Sequence, residues 1–176
     1  EYRLLETVRD FGARFDLDRL KHYEQLSGPL PFLVYAGWGK LVGFELWRLR
    51  LLSLLTAILL YVLFHLLVYR RSGSGLAAFL ATAFFAVHPY MVGFSLFVFT
   101  DGLTILLLIV GLLGITGRRP GLLALGLGGS LLCRQYMVFF AGASLMYLAA
   151  EYLRDRKAET LRMGAGWLAG MLPTVG

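Results

Sequence analysis

Cysteine is almost absent from this 176-residue chain: Cys133 stands alone, so no internal disulfide can form and the redox compartment is unreadable. Charge is scarce too. Asp, Glu, Lys and Arg make up 16% of the residues, where soluble domains carry about 25%. Lysine is rarer still, three against fourteen arginines. Histidine occurs only as His22, His65 and His88, and His22, His88 and Asp101 have no metal-ligand spacing. The glycines lack the strand, helix start and Lys or Ser/Thr of a phosphate-cradling loop. No internal repeat, heptad seam or low-complexity tract is present. No cofactor is expected, and a divalent-metal requirement is not readable from the residues.

What is there is apolar. Hydrophobic residues reach 58% and mean hydropathy is +0.69, which excludes a disordered or nucleic-acid-binding chain despite a net charge of +6. A polytopic membrane protein fits, with surplus arginine reporting cytoplasmic loops. The sequence begins at Glu1 without Met and stops at Gly176 inside an apolar run, so a fragment of a longer chain is expected.

Two regions follow from patterning. Residues 1–44 form a polar outer loop, periplasmic, extracellular or lumenal. Leu4, Leu5, Val8, Phe11 and Phe15 recur there at helical spacing, Ser27-Gly28-Pro29-Leu30-Pro31 makes a turn, and a second amphipathic helix covers Phe32 to Val42. Such helices lie on a membrane surface. Residues 45–176 form the bundle. Leu51–Tyr69 reaches roughly 28 Å as helix, enough to cross a bilayer core, and ends in Arg70-Arg71, which places that end in the cytoplasm. Between Arg71 and the next pair, Arg118-Arg119, the apolar run Gly75–Thr116 is about two bilayers long and is broken at His88-Pro89-Tyr90 and Thr100-Asp101. Two like-sided basic clusters need an even number of crossings, so the chain turns on the outer face near His88–Asp101.

Gly121–Ala150 admits one tilted span or two short ones. A single span strands Arg134 near mid-membrane at about 2.5–3.5 kcal/mol or more. Two spans turning at Arg134 avoid that cost and keep Arg118-Arg119 and Arg154-Asp155-Arg156-Lys157 on one side. The expected fold is an all-α, polytopic transmembrane helical bundle with spans near 45–69, 75–88, 97–116, 121–133, 135–150 and 161–176. Gly126, Gly129 and Ser130, with Gly166 and Gly170, read as close helix-packing positions.

This topology gathers Glu1, Asp16, Asp18, His88, Asp101 and Arg134 at the outer face. Ionisable residues at a membrane boundary are functional candidates, yet each has a structural alternative. Asp101, after Thr100, would cap a helix. His88, before Pro89, would only end one. Arg134 would form a structural salt bridge to Asp101 or Glu1. Arg48 and Arg50 would snorkel to lipid headgroups or bind an anionic substrate. His65 and Cys133 read as packing residues.

Several pieces resemble the GT-C superfamily of membrane glycosyltransferases, which use polyprenyl-phosphate-linked sugars. They are Glu1-Tyr2 opening the loop, Ser27-Gly28-Pro29-Leu30, Gly43 and Trp47-Arg48-Leu49-Arg50-Leu51. Phe97-Val98-Phe99-Thr100-Asp101 after His88-Pro89-Tyr90, and Cys133-Arg134-Gln135, are most similar to the alpha-1,2-glucosyltransferases that complete the dolichol-linked oligosaccharide. That group carries Thr-Asn-Ile where this chain has Tyr136-Met137-Val138. The resemblance implies transfer of a hexose from a polyprenyl- or dolichyl-phosphate sugar to a glycan, lipid or protein acceptor, on the non-cytoplasmic face of a prokaryotic plasma membrane or the endoplasmic reticulum. It implies a catalytic base just upstream of Glu1, with Glu1 as its catalytic neighbour and Asp101 as a second catalytic carboxylate that orients the acceptor or the base. Arg134, Gln135, His88 and Arg50 would bind the donor phosphate. A lipid-linked sugar flippase or a secondary transporter is the alternative, since both also place charges within broken helices.

Overall fold

The computed structural model describes residues 2–13, 28–155 and 158–172, and among them every regular element is a helix. Glu1, Phe15, Asp16, Asp18, His22 and Ser27 lie outside the described residues, as do Arg156, Lys157 and residues 173–176.

The outer loop contributes α1 (Tyr2–Ala13) and α2 (Leu30–Val42). Their apolar faces meet: the Phe11 and Phe32 rings stack at 6.1 Å between centroids. Leu5, Val8, Tyr35 and Ala36 extend this core onto Leu49 of the next helix and onto Val98. Both amphipathic helices expected in the outer loop are thus present, folded together on one end of the bundle. The Tyr35 hydroxyl hydrogen-bonds Ser53 Oγ at 2.7 Å. Burial pushes the Tyr35 phenol above its usual pKa, the Ser53 bond opposing it.

Next, α3 (Leu46–Ser72) runs about 40 Å. Gly73, in left-handed conformation (φ 67°), closes it, with its N–H on the Tyr69 carbonyl. Its Leu54, Leu55, Ile58, Leu59 and Val62 are exposed, an apolar face suited to lipid. Ser74 caps α4 (Gly75–Val87) through the Ala77 amide. At His88 the chain bends by 70° into α5 (Pro89–Leu96). A short non-helical stretch, 97–100, then leads to α6 (Asp101–Thr116).

α6 and α7 (Pro120–Cys133) form an antiparallel hairpin at backbone contact. A Cβ on Gly126 would collide with the backbone of Gly111, and one on Gly114 with Leu123. The turn between them holds Arg118 at φ 54° and places Pro120 in the first turn of α7. After α7 the helix stops at Arg134 (φ −148°, ψ 124°), passes through one 3-10 turn (Gln135–Met137), and reverses into α8 (Val138–Asp155). Arg134 therefore sits at a break between two antiparallel helices. α9 (Ala158–Met171) lies parallel to α7, with Gly166 against Pro120 and Gly170 against Ala124 and Leu127. Gly126, Gly166 and Gly170 are the close packing points expected of them.

Two helices, Leu46–Ser72 and Gln135–Arg154, are long and apolar enough to cross a membrane, and the bent pair α4–α5 makes a third if taken as one span. α6 and α7, at 16 and 14 residues, reach about 24 and 21 Å. That is short of the roughly 30 Å hydrocarbon core.

Candidate functional site

The break at Arg134 meets the start of α6. Arg134 Nε donates to Asp101 Oδ1 at 2.7 Å and its Nη2 donates to Thr100 Oγ1 at 3.0 Å. The two charged side chains are only 20% and 14% exposed. Desolvation at that depth would be costly for either charge alone and is offset by the pair. No capping bond comes from the Thr100 side chain. Asp101, in the first turn of α6, is also favoured by the helix dipole there.

The arginine is only partly spent. Its contacts use Nε and Nη2, and Nη1 has no acceptor among the described residues. Around it stand aromatic rings from two other breaks in the chain. Tyr90, at the start of α5, and Tyr136, in the 3-10 turn, lie near enough to Asp101 and Arg134 to feel both charges while remaining about half exposed. Phe97 and Phe99 pack edge to face at 6.2 Å beside them.

Three further features tie distant sequence to this end. The Gly28 amide donates to the Cys133 carbonyl at 2.7 Å, so the loop turn before α2 docks on the last residue of α7. Only glycine fits there, because a Cβ would overlap the Leu132 carbonyl. Arg50 stacks its guanidinium 5.3 Å from the Phe97 ring centroid, a cation–π contact that holds it at this end. Arg48 is held by local partners: it donates to the Val42 carbonyl, pairs with Glu45 at 3.2 Å and covers the Trp47 ring. The physical reason is local, since the kink at Gly43 (φ 106°) turns the carbonyls of the α2 terminus toward it.

The expected site residues separate accordingly. Asp101 and Arg134 are in direct contact and Arg50 is near them through Phe97. His88 Nδ1 accepts the Tyr90 amide at 3.3 Å, capping α5 and so positioning Tyr90. Gln135 is exposed and its side chain makes no hydrogen bond among the described residues. Glu1 lies outside the described residues. Tyr90, Tyr136 and Thr100 join Asp101 and Arg134, and the first two were legible only as aromatics flanking the His88-Pro89 and Arg134-Gln135 breaks. No group of three or more His, Cys, Asp or Glu able to hold a metal ion occurs among the described residues.

Chemically this is a permanently charged planar fork with a free donor edge, held by a carboxylate and walled by phenols. Such a fork suits phosphate, and the carboxylate can accept a proton or orient a hydroxyl. The class so defined is an all-helical protein with helices of membrane-spanning length and a polar site at one bundle end. Comparison with protein-family models, with curated proteins and with solved structures finds no match for this chain.

Proposed function

We propose that the chain belongs to a membrane glycosyltransferase that moves a hexose from a polyprenyl-phosphate carrier to a glycan, lipid or protein acceptor. The reading is carried by one observation: Arg134 is fixed by Asp101 and Thr100 yet keeps Nη1 without an acceptor among the described residues, beside two half-exposed tyrosines. In this mechanism negative charge develops on the leaving phosphate as the sugar departs, and a preorganised guanidinium stabilises it. Asp101 orients Arg134 and, through Tyr90 and Tyr136, the acceptor hydroxyls. The docking of the outer-loop turn at Gly28 onto Cys133 supports the same reading, because it brings loop and bundle together at the reacting end.

The 70° break at His88 favours a second reading, a lipid-linked sugar transporter with a discontinuous helix. Both are separated by assaying the full-length protein in detergent with polyprenyl-phosphate hexoses and a lipid-extract acceptor. Sugar transfer that disappears in Arg134→Ala is the expected result. Movement of the lipid-linked sugar across proteoliposomes, with no transfer in detergent, overturns the proposal in favour of transport.

A further inference from the structure

The opposite end of the bundle, about 20 Å away along α7, carries a second feature that the transfer reading does not use. A groove of about 330 Å³ runs between α3 and α8 with α6 as its floor. Arg71, Thr116 and Tyr147 line it at the bundle end. Leu112 lies one turn deeper on α6, and Phe140 two turns deeper on α8. Phe140 closes the deep end by lying over Gly111. The groove is therefore polar and cationic at one end and, apart from Ser144, whose hydroxyl donates to the Ala141 carbonyl, apolar along its remaining length, in the order of a lipid headgroup and chain.

The charge at its mouth is unbalanced. Arg118 engages both oxygens of Glu151 through Nη1 and Nη2, so that carboxylate is fully occupied. Arg70, which reaches over Gly117, and Arg71 and Arg119 have no acidic partner among the described residues. Glu151 is taken by Arg118 and Glu159 also lies near Arg118, so Arg71 in the groove, with Arg70 and Arg119 close by, leaves an excess of guanidinium that suits a phosphate carrying net negative charge. Basic pockets between membrane helices are used in this way for anionic headgroups.

We propose that this groove holds an anionic phospholipid, with its phosphate against Arg71 and an acyl chain laid over Leu112 and Phe140. The site is independent of sugar transfer, since it shares no residue with the Arg134 end.

The test uses the full-length protein, delipidated in detergent and re-equilibrated with phosphatidylglycerol or phosphatidylcholine, with retained lipid read by native mass spectrometry. Phosphatidylglycerol retention should exceed that of phosphatidylcholine. Arg71→Gln should lower it about fivefold, as expected for one arginine near a headgroup, while Arg71→Lys keeps most of it. Leu112→Trp, which fills the groove without touching charge, should lower retention of both lipids. Equal retention of the two lipids by the wild type overturns the proposal, as does unchanged phosphatidylglycerol retention in Arg71→Gln. A photo-crosslinker at residue 112 should label lipid, and crosslinking to another segment of the protein instead would also overturn it.

Discussion

The two ends of the α6–α7 hairpin each carry an arginine–carboxylate pair, and in both pairs the partners are 33 residues apart. At one end Arg118 meets Glu151 fork to fork, with both carboxylate oxygens and both terminal nitrogens consumed. The hydrogen bonds to Glu151 raise the Arg118 pKa above its ordinary value, burial opposing them. At the other end Arg134 gives Nε to one oxygen of Asp101 and Nη2 to Thr100, and Nη1 is left over. A closed pair staples helices, while an open pair staples and still has something to offer. The surroundings repeat the contrast. The closed pair joins a tight turn to a regular helix, whereas the open pair lies where three separate breaks meet, at His88, at Thr100 and at Arg134.

Both pairs depend on the glycine contact between α6 and α7, and Gly126→Leu is the largest perturbation expected. With no room beside Gly111, overpacking of about 3 kcal/mol or more should abolish monodisperse folded protein, as read by size-exclusion chromatography in detergent. A well-folded variant would show that the hairpin does not set the spacing of the two ends.

Arg134→Ala comes next. Loss of one preorganised donor at a developing charge lowers turnover by about 100-fold or more, measured as initial sugar-transfer rate. Gly28→Ala should follow with a loss of about tenfold, because a shifted loop misplaces the site, and with little change in detergent thermal stability. Arg118→Ala should do the reverse. Its pair is about one-third exposed on the arginine side, so stability falls by about 1 kcal/mol while transfer rate stays near wild type. Tyr136→Phe is the smallest, removing one hydroxyl near Asp101 for about 1 kcal/mol, or roughly a fivefold loss of rate.

The helical segmentation was largely legible in the sequence because each break coincides with a residue that an apolar helix tolerates poorly. His88-Pro89, Thr100-Asp101 and Arg134 each interrupt an apolar run, and each ends or begins a helix. The expense of an arginine in an apolar stretch was enough to locate the reversal between α7 and α8. Pairings were less legible. Arg134–Asp101 stood only as an alternative to function, and the structure joins the two ideas: the bond both satisfies the charge and aims it. Glu151 as the partner of Arg118 is not legible, since a loop arginine in an apolar chain reads as a topology marker and no local pattern links residues so far apart. Crossing number was also less legible than segmentation. Charge parity asked for six spans, whereas α6 and α7 are individually shorter than a bilayer core. The local partners of Arg48 are not legible in the sequence, because the Val42 carbonyl becomes available only through the turn at Gly43.

The central claim is that the Arg134–Asp101 pair does more than hold α6 to the α7–α8 break. Exchanging the charges tests it most directly: Asp101→Arg combined with Arg134→Asp, compared with each single change in thermal unfolding and in sugar transfer from polyprenyl-phosphate hexoses. The double variant should regain most of the stability lost in the single ones and still transfer no sugar, because the guanidinium no longer lies at the helix break beside Tyr136. Recovery of transfer together with stability would contradict the account and leave the pair a structural staple like its counterpart at Arg118.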